Sequence, residues 1–176
     1  MILTGCGKKE EINFRSVVDH TGNYESYHLL SMFESANFEL LNENDSLFSL
    51  YLNDTEIELA HLNFDPTEKS RDKHKHQYHL IEKRNINDAT IVILGRSIIG
   101  NGRNYSILFR ILDNQNNILN TVTAAAWNES GNNSYGCEVS DNWSKIRHVK
   151  NGKVIREFAI NEQWEIKRQV VKNKRH

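Results

Sequence analysis

The stretch from 89 to 127 limits the folds open to this chain more than any other. It begins with Ala89-Thr90-Ile91-Val92-Ile93-Leu94, an apolar and mostly β-branched run too short for a surface helix. A Gly100-Asn101-Gly102 cluster follows, then a second apolar run over 105–112, a polar tip at 113–117 and a third run over 118–127. Such runs, broken by Gly and Asn clusters, are the pattern of strands joined by hairpins. Three consecutive antiparallel strands are expected here, at the centre of the core. In the second, Tyr105, Ile107, Phe109 and Ile111 share one face while Leu108 and Leu112 occupy the other. A strand apolar on both faces is expected to be covered on both.

The flanking segments read mostly the same way. Residues 12–18 alternate with a period of two and predict a strand. Residues 46–62 read as a hairpin: 47–52 is apolar, Asn53-Asp54 suits a two-residue turn, and Ile57 and Leu59 alternate with Glu56 and Glu58. A strand over 76–84 leads into the central stretch. Asn151-Gly152, the strongest hairpin dipeptide, separates apolar-patterned runs over 145–150 and 153–160, and 163–171 alternates again. The single helix candidate spans 24–41, where Leu29, Met32, Phe33, Ala36 and Leu40 fall on one face. The 22 asparagines among 176 residues suit a chain rich in tight turns, since Asn tolerates positive φ. The expected fold is mainly β: an antiparallel sandwich or up-and-down barrel of about eight to ten strands, in one domain over 12–171. Residues 1–11 and 172–176 are expected to lie outside it as a tether and a basic tail.

Charge excludes some functions. A sequence pI near 6.7 lacks the basic footprint of a nucleic-acid binder. No apolar stretch approaches the roughly 20 residues of a membrane-spanning helix. The net charge of −1 conceals an uneven distribution: 3 basic against 12 acidic residues over 1–66, and 19 against 11 over 67–176. The halves are expected to pack together and interleave these charges.

The first residues carry the most specific short motif. Leu3-Thr4-Gly5-Cys6, followed by the polar Gly7-Lys8-Lys9-Glu10-Glu11, resembles the lipobox of bacterial lipoproteins. The resemblance covers these positions alone and implies lipidation of Cys6. It also implies a membrane anchor without a span, and a place in the cell envelope as an outer-membrane lipoprotein facing the periplasm or the surface. Only Met1 and Ile2 precede the motif, so the reading places a signal peptide upstream of Met1. Without such a signal, the expected location is cytoplasmic.

Catalytic motifs are sparse. Gly95-Arg96-Ser97-Ile98-Ile99-Gly100 has the outline of a phosphate loop, but Asn101-Gly102 stand where Lys and Ser or Thr are required, and a strand follows. There is no GxSxG, HExxH or Asp-rich calcium loop. His74, His76 and His79 have the spacing of a weak metal cluster, opposed by Lys69, Arg71, Lys73, Lys75 and Lys83, so no metal or other cofactor is expected. Cys137 is expected to be a buried thiol, and Tyr105, Phe109, Trp127 and Trp164 to be core. Thr121, Thr123 and Ala125, on one face of the third run, could line a small apolar cavity.

These observations point to a non-enzymatic, envelope-anchored protein that binds a partner, an immunity or exclusion protein being one concrete form. The alternatives are a β-barrel carrying a small apolar ligand and, behind it, an enzyme with a scattered site.

Overall fold

A computed structural model describes residues 12–18, 39–42, 46–61, 75–100, 102–128 and 134–171. In chain order they form β1 (Phe14–Val18), β2 (Glu39–Leu40), α1 (Ser46–Tyr51), α2 (Asp54–His61), β3 (Lys75–Ile86) and β4 (Ala89–Gly100). Then come β5 (Gly102–Leu112), β6 (Ile118–Asn128), β7 (Gly136–Ser140), β8 (Lys145–Lys150), β9 (Lys153–Ile160) and β10 (Ile166–Gln169). The strands make two five-stranded antiparallel sheets, β1-β7-β8-β9-β10 and β2-β3-β4-β5-β6. Neither sheet closes on itself, so the arrangement is a sandwich and not a barrel.

The central stretch is the meander β4-β5-β6, in which β4 and β5 pair without interruption from Thr90↔Leu112 to Gly100↔Gly102. Its inner face meets the other sheet: Ile91, Ile93, Ile107, Phe109 and Ile111 pack with Val139, Ile146 and Ile160. Its outer face carries Val92, Leu94, Leu108 and Leu112, which pack with Phe48, Tyr51, Leu52 and Ala60 of the helical segment. The molecule therefore has three layers, helices on sheet on sheet. This double coverage is why β4 and β5 read as continuous apolar runs and not as alternating ones.

The covering helices lie over 46–61, where the sequence predicts a hairpin. Of the helix expected over 24–41, residues 24–38 lie outside the described residues; Glu39–Leu40 is a strand paired with β3, and the Leu41 amide donates to the Tyr78 carbonyl at 2.9 Å. The hairpin expected over 46–62 is instead α1 and α2. Asn53 decides this locally: its Oδ1 accepts from the Glu56 amide at 2.9 Å, and its own amide donates to Glu56 Oε2 at 3.0 Å. That reciprocal pair is a capping box, which starts a helix where a turn was expected.

Bulges also change the expected faces. Between Ile107↔Ala125 and Leu108↔Thr123 the register skips Ala124. Ala125 thus faces the sandwich interior with Ala124, while Thr121 and Thr123 sit opposite Arg110 and Leu108 on the helix side. The three residues do not line one cavity. Cys137 is a fully buried free thiol, and burial pushes its pKa well above the ordinary value.

The sheets are tied at one corner, where Ala126 and Tyr135 exchange both backbone hydrogen bonds, at 3.1 and 2.9 Å. Tyr135 stacks on the buried His148 at 4.3 Å between ring centroids.

Candidate binding site

The turns β7–β8 and β9–β10 fall at one end of their sheet by strand register, and contacts of the β3–β4 turn with both place it at the same end of the sandwich. Two of them carry a tryptophan in the left-handed region, Trp143 at φ 58° and Trp164 at φ 61°. Bulky residues resist this conformation, whereas the other three non-Gly cases among the described residues (Asn87, Asn116 and Asn151) are the type that accepts it. The surrounding hydrogen bonds explain how the strain is held.

In the β9–β10 turn, Asn161 Oδ1 accepts from the amides of Gln163 and Glu165, and the Trp164 amide donates to the Asn161 carbonyl at 3.0 Å. The Trp164 indole then donates to Asp88 Oδ1 at 3.0 Å, tying this turn to the β3–β4 tip. In the β7–β8 turn, Asn142 Oδ1 accepts from the amide and hydroxyl of Ser144, and Ser140 Oγ accepts from the Lys145 amide at 2.9 Å. Trp143 lies edge-on to Phe109, 5.3 Å between centroids, so burial of its indole opposes the backbone cost.

Between these turns opens a groove of ≈ 600 Å³ lined by Arg15, Arg84, Asn85, Ile86, Asn87, Asp141 and Trp143. Arg15 comes from edge strand β1, aligned by the bond from the Asp141 amide to the Asn13 carbonyl, 3.2 Å. Its Cζ stands 5.4 Å from the Trp143 ring centroid. Its Nε is buried and has no hydrogen-bond partner among the described residues. Arg84, by contrast, is paired with Glu82. An inward-pointing charge on an edge strand discourages unwanted pairing with another chain. That role does not require a buried donor without an acceptor, so the groove is the more demanding explanation.

A second cleft lies between α2 and sheet strands β3 and β4. Its two lobes, ≈ 430 and ≈ 270 Å³, share His76 and Tyr78. His76 Nδ1 is 3.3 Å from the Tyr78 hydroxyl, and Arg96 Nε donates to Ser106 Oγ at 3.0 Å. Burial pushes the Tyr78 pKa up to about 12, and the charge of Glu56 adds to the rise. Tyr78 is therefore a neutral hydrogen-bonding group at physiological pH.

Of the residues singled out from sequence, Cys6 and His74 lie outside the described residues. His76 lines the second cleft, and strand alternation turns His79 to the opposite face of β3. No group of three or more His, Cys, Asp or Glu among the described residues could hold a metal ion. Phe109 and Trp164 are buried, while Tyr105 and Trp127 are half-buried and pack together at 5.5 Å. Arg15 and Trp143 escaped the sequence reading, because only the β1–β7 pairing brings them together.

Comparison with protein-family models, curated proteins and solved structures gives no match.

Proposed function

We propose that this chain is a non-enzymatic binding protein of the bacterial cell envelope, anchored through acylated Cys6, that engages a protein partner with the Arg15–Trp143 groove. The anchor rests on the lipobox resemblance of Leu3-Thr4-Gly5-Cys6. The binding reading rests on one observation: a guanidinium held over an indole in a groove whose β3–β4 wall is tied to the neighbouring β9–β10 turn. Trp and Arg in a preorganised site are the residues that most often dominate protein recognition. An immunity or exclusion role is the form of this reading that suits an envelope protein.

The experiment is site-specific photo-crosslinking in cells of the native host, with a photoreactive residue at Asn87 on the groove and, separately, at Lys153 on the opposite end of the sandwich. A discrete protein adduct from Asn87 and not from Lys153 is the expected result. Equal labelling at both positions, or none, counts against the reading. For the anchor, a fatty-acid analogue should label the protein and fail to label Cys6→Ser; labelling of both or neither contradicts it.

A carrier of a small apolar ligand is the second reading, and the cleft under α2 favours it. One lobe there presents Leu40, Leu41, Phe48 and Ala60 beside His76 and Tyr78.

A further inference from the structure

We propose that the corner joining the two sheets is an acid-sensitive latch: a proton taken up by His148 releases Tyr135 and opens the Ala126–Tyr135 bridge while both sheets stay paired. The geometry makes a charge on this ring hard to keep. His148 is 2% exposed, with Tyr135 stacked on it and Phe158 tilted against it at 4.9 Å between centroids. Its ring nitrogens are buried, and Thr123 offers them a backbone contact but no well-formed hydrogen bond. Among the described residues, the titratable or charged groups that face it are Cys137 on β7, Tyr135 just before that strand, and Arg156 on β9. Burial holds the protons on Cys137 and Tyr135, and Arg156 carries the same charge as an imidazolium. Strand alternation turns Glu138 to the opposite face of β7, so none of these groups balances a positive ring.

The corner can part on its own. The Ala126 and Tyr135 amides each donate to the other's carbonyl, at 3.1 and 2.9 Å, in an isolated bridge outside the strand ladders. His148 pairs with Cys137, one step from the start of β7 at Gly136. The next inward pair along the two strands, Val139↔Ile146, packs with Ile93, Ile107 and Phe109. Tyr135 can therefore leave the ring while that core and the β7–β8 pairing stay closed. Once it has left, water reaches the imidazole and the charged form is stabilised, so acid favours the open corner. Burial holds the closed ring down at about 4 against an ordinary 6.5, which places the response between those values. Opening bares a face of His148 and the Ala126 end of edge strand β6.

The test is hydrogen exchange on the intact folded protein, followed by NMR and corrected for the intrinsic rate at each pH. From pH 7 to pH 5 the protection of the Ala126 and Tyr135 amides should fall at least tenfold. At pH 5 both should exchange faster than amides of the β4–β5 ladder and respond only weakly to low urea, the mark of opening without unfolding. His148→Phe keeps the ring stack and removes the proton site, so the protection of these two amides should change less than about twofold over the same range. In the unaltered protein, the His148 ring signals should titrate well below the ordinary 6.5. Protection that stays constant from pH 7 to pH 5, that falls equally in His148→Phe, or that is lost with the urea dependence of the β4–β5 ladder overturns the inference. A His148 ring that titrates at its ordinary value while the bridge amides stay protected overturns it as well.

Discussion

Arg110 Nη2 donates to Glu56 Oε1 at 2.7 Å, joining the centre of β5 to the first turn of α2. Arg110 is fully buried, and the same guanidinium also bonds the Tyr51 carbonyl and, through Nε, Thr121 Oγ1 at 3.2 Å. One charge thus serves the end of α1, the start of α2 and a neighbouring strand. It is also a direct case of the acidic N-terminal part interleaving with the basic remainder. Removing the partner of a buried charge costs far more than the pair contributes. Glu56→Gln is expected to destabilise the fold by about 3 kcal/mol in urea unfolding. Replacing the pair together, Arg110→Met with Glu56→Leu, should recover most of that loss. A single variant within ~0.5 kcal/mol of the unaltered protein would show that the staple contributes little.

The β8–β9 hairpin isolates a purely conformational effect. Gly152 has φ 67°, and a Cβ built there meets nothing within 4 Å. Gly152→Val therefore puts a Cβ into open space but a β-branched residue in the left-handed region, and should cost ~1 kcal/mol or more. A lowered melting temperature with unchanged circular dichroism is the expected outcome. An unchanged melting temperature would count against the turn.

His148 gives a pH signature. It is buried between Tyr135 and Phe158, 4.3 and 4.9 Å between ring centroids, at the corner that joins the sheets. Burial pushes its pKa down to about 4; a Thr123 backbone contact partly opposes this and the Arg156 charge adds to it. Between the ordinary value of 6.5 and about 4, the unfolded chain binds a proton that the folded chain refuses. The stability present above pH 6.5 is thus lost as pH falls through that window, by roughly 2–3 kcal/mol. Carboxylates act lower down. Asn117 holds the Asp113 carboxyl below its ordinary 3.8, and Arg147 and Lys145 hold Glu157 below 4.5 despite burial, so their contributions fade only in more acid solution. His148→Phe should flatten the urea stability profile between pH 6.5 and 4.5. A wild-type profile already flat across that range would contradict the assignment.

Sequence legibility followed the range of the interactions that decide each element. The β4-β5-β6 meander and the Asn151-Gly152 turn depend on neighbours in the chain, and their patterns were readable from runs and dipeptides. The 46–61 segment is ambiguous in sequence because the short apolar run 47–52 and the alternation of Ile57 and Leu59 with Glu56 and Glu58 fit strands as well as short helices. The signal that settles it was present as Asn53-Thr55-Glu56 context, an Asx cap with Glu three residues on. Trp143 and Trp164 could not be read as turn residues at all. Their left-handed φ is tolerated because each indole is buried, one against Phe109 and one on Asp88. The groove was equally hidden, since it exists only where β1, the β3–β4 tip and the β7–β8 turn converge.

The central claim, that the loop end of the sandwich is a recognition site built on Arg15, is tested most directly by repeating the Asn87 cross-linking experiment with Arg15→Gln. The account predicts that the partner adduct falls at least tenfold while the melting temperature holds. An adduct of undiminished yield in a folded Arg15→Gln protein would contradict it.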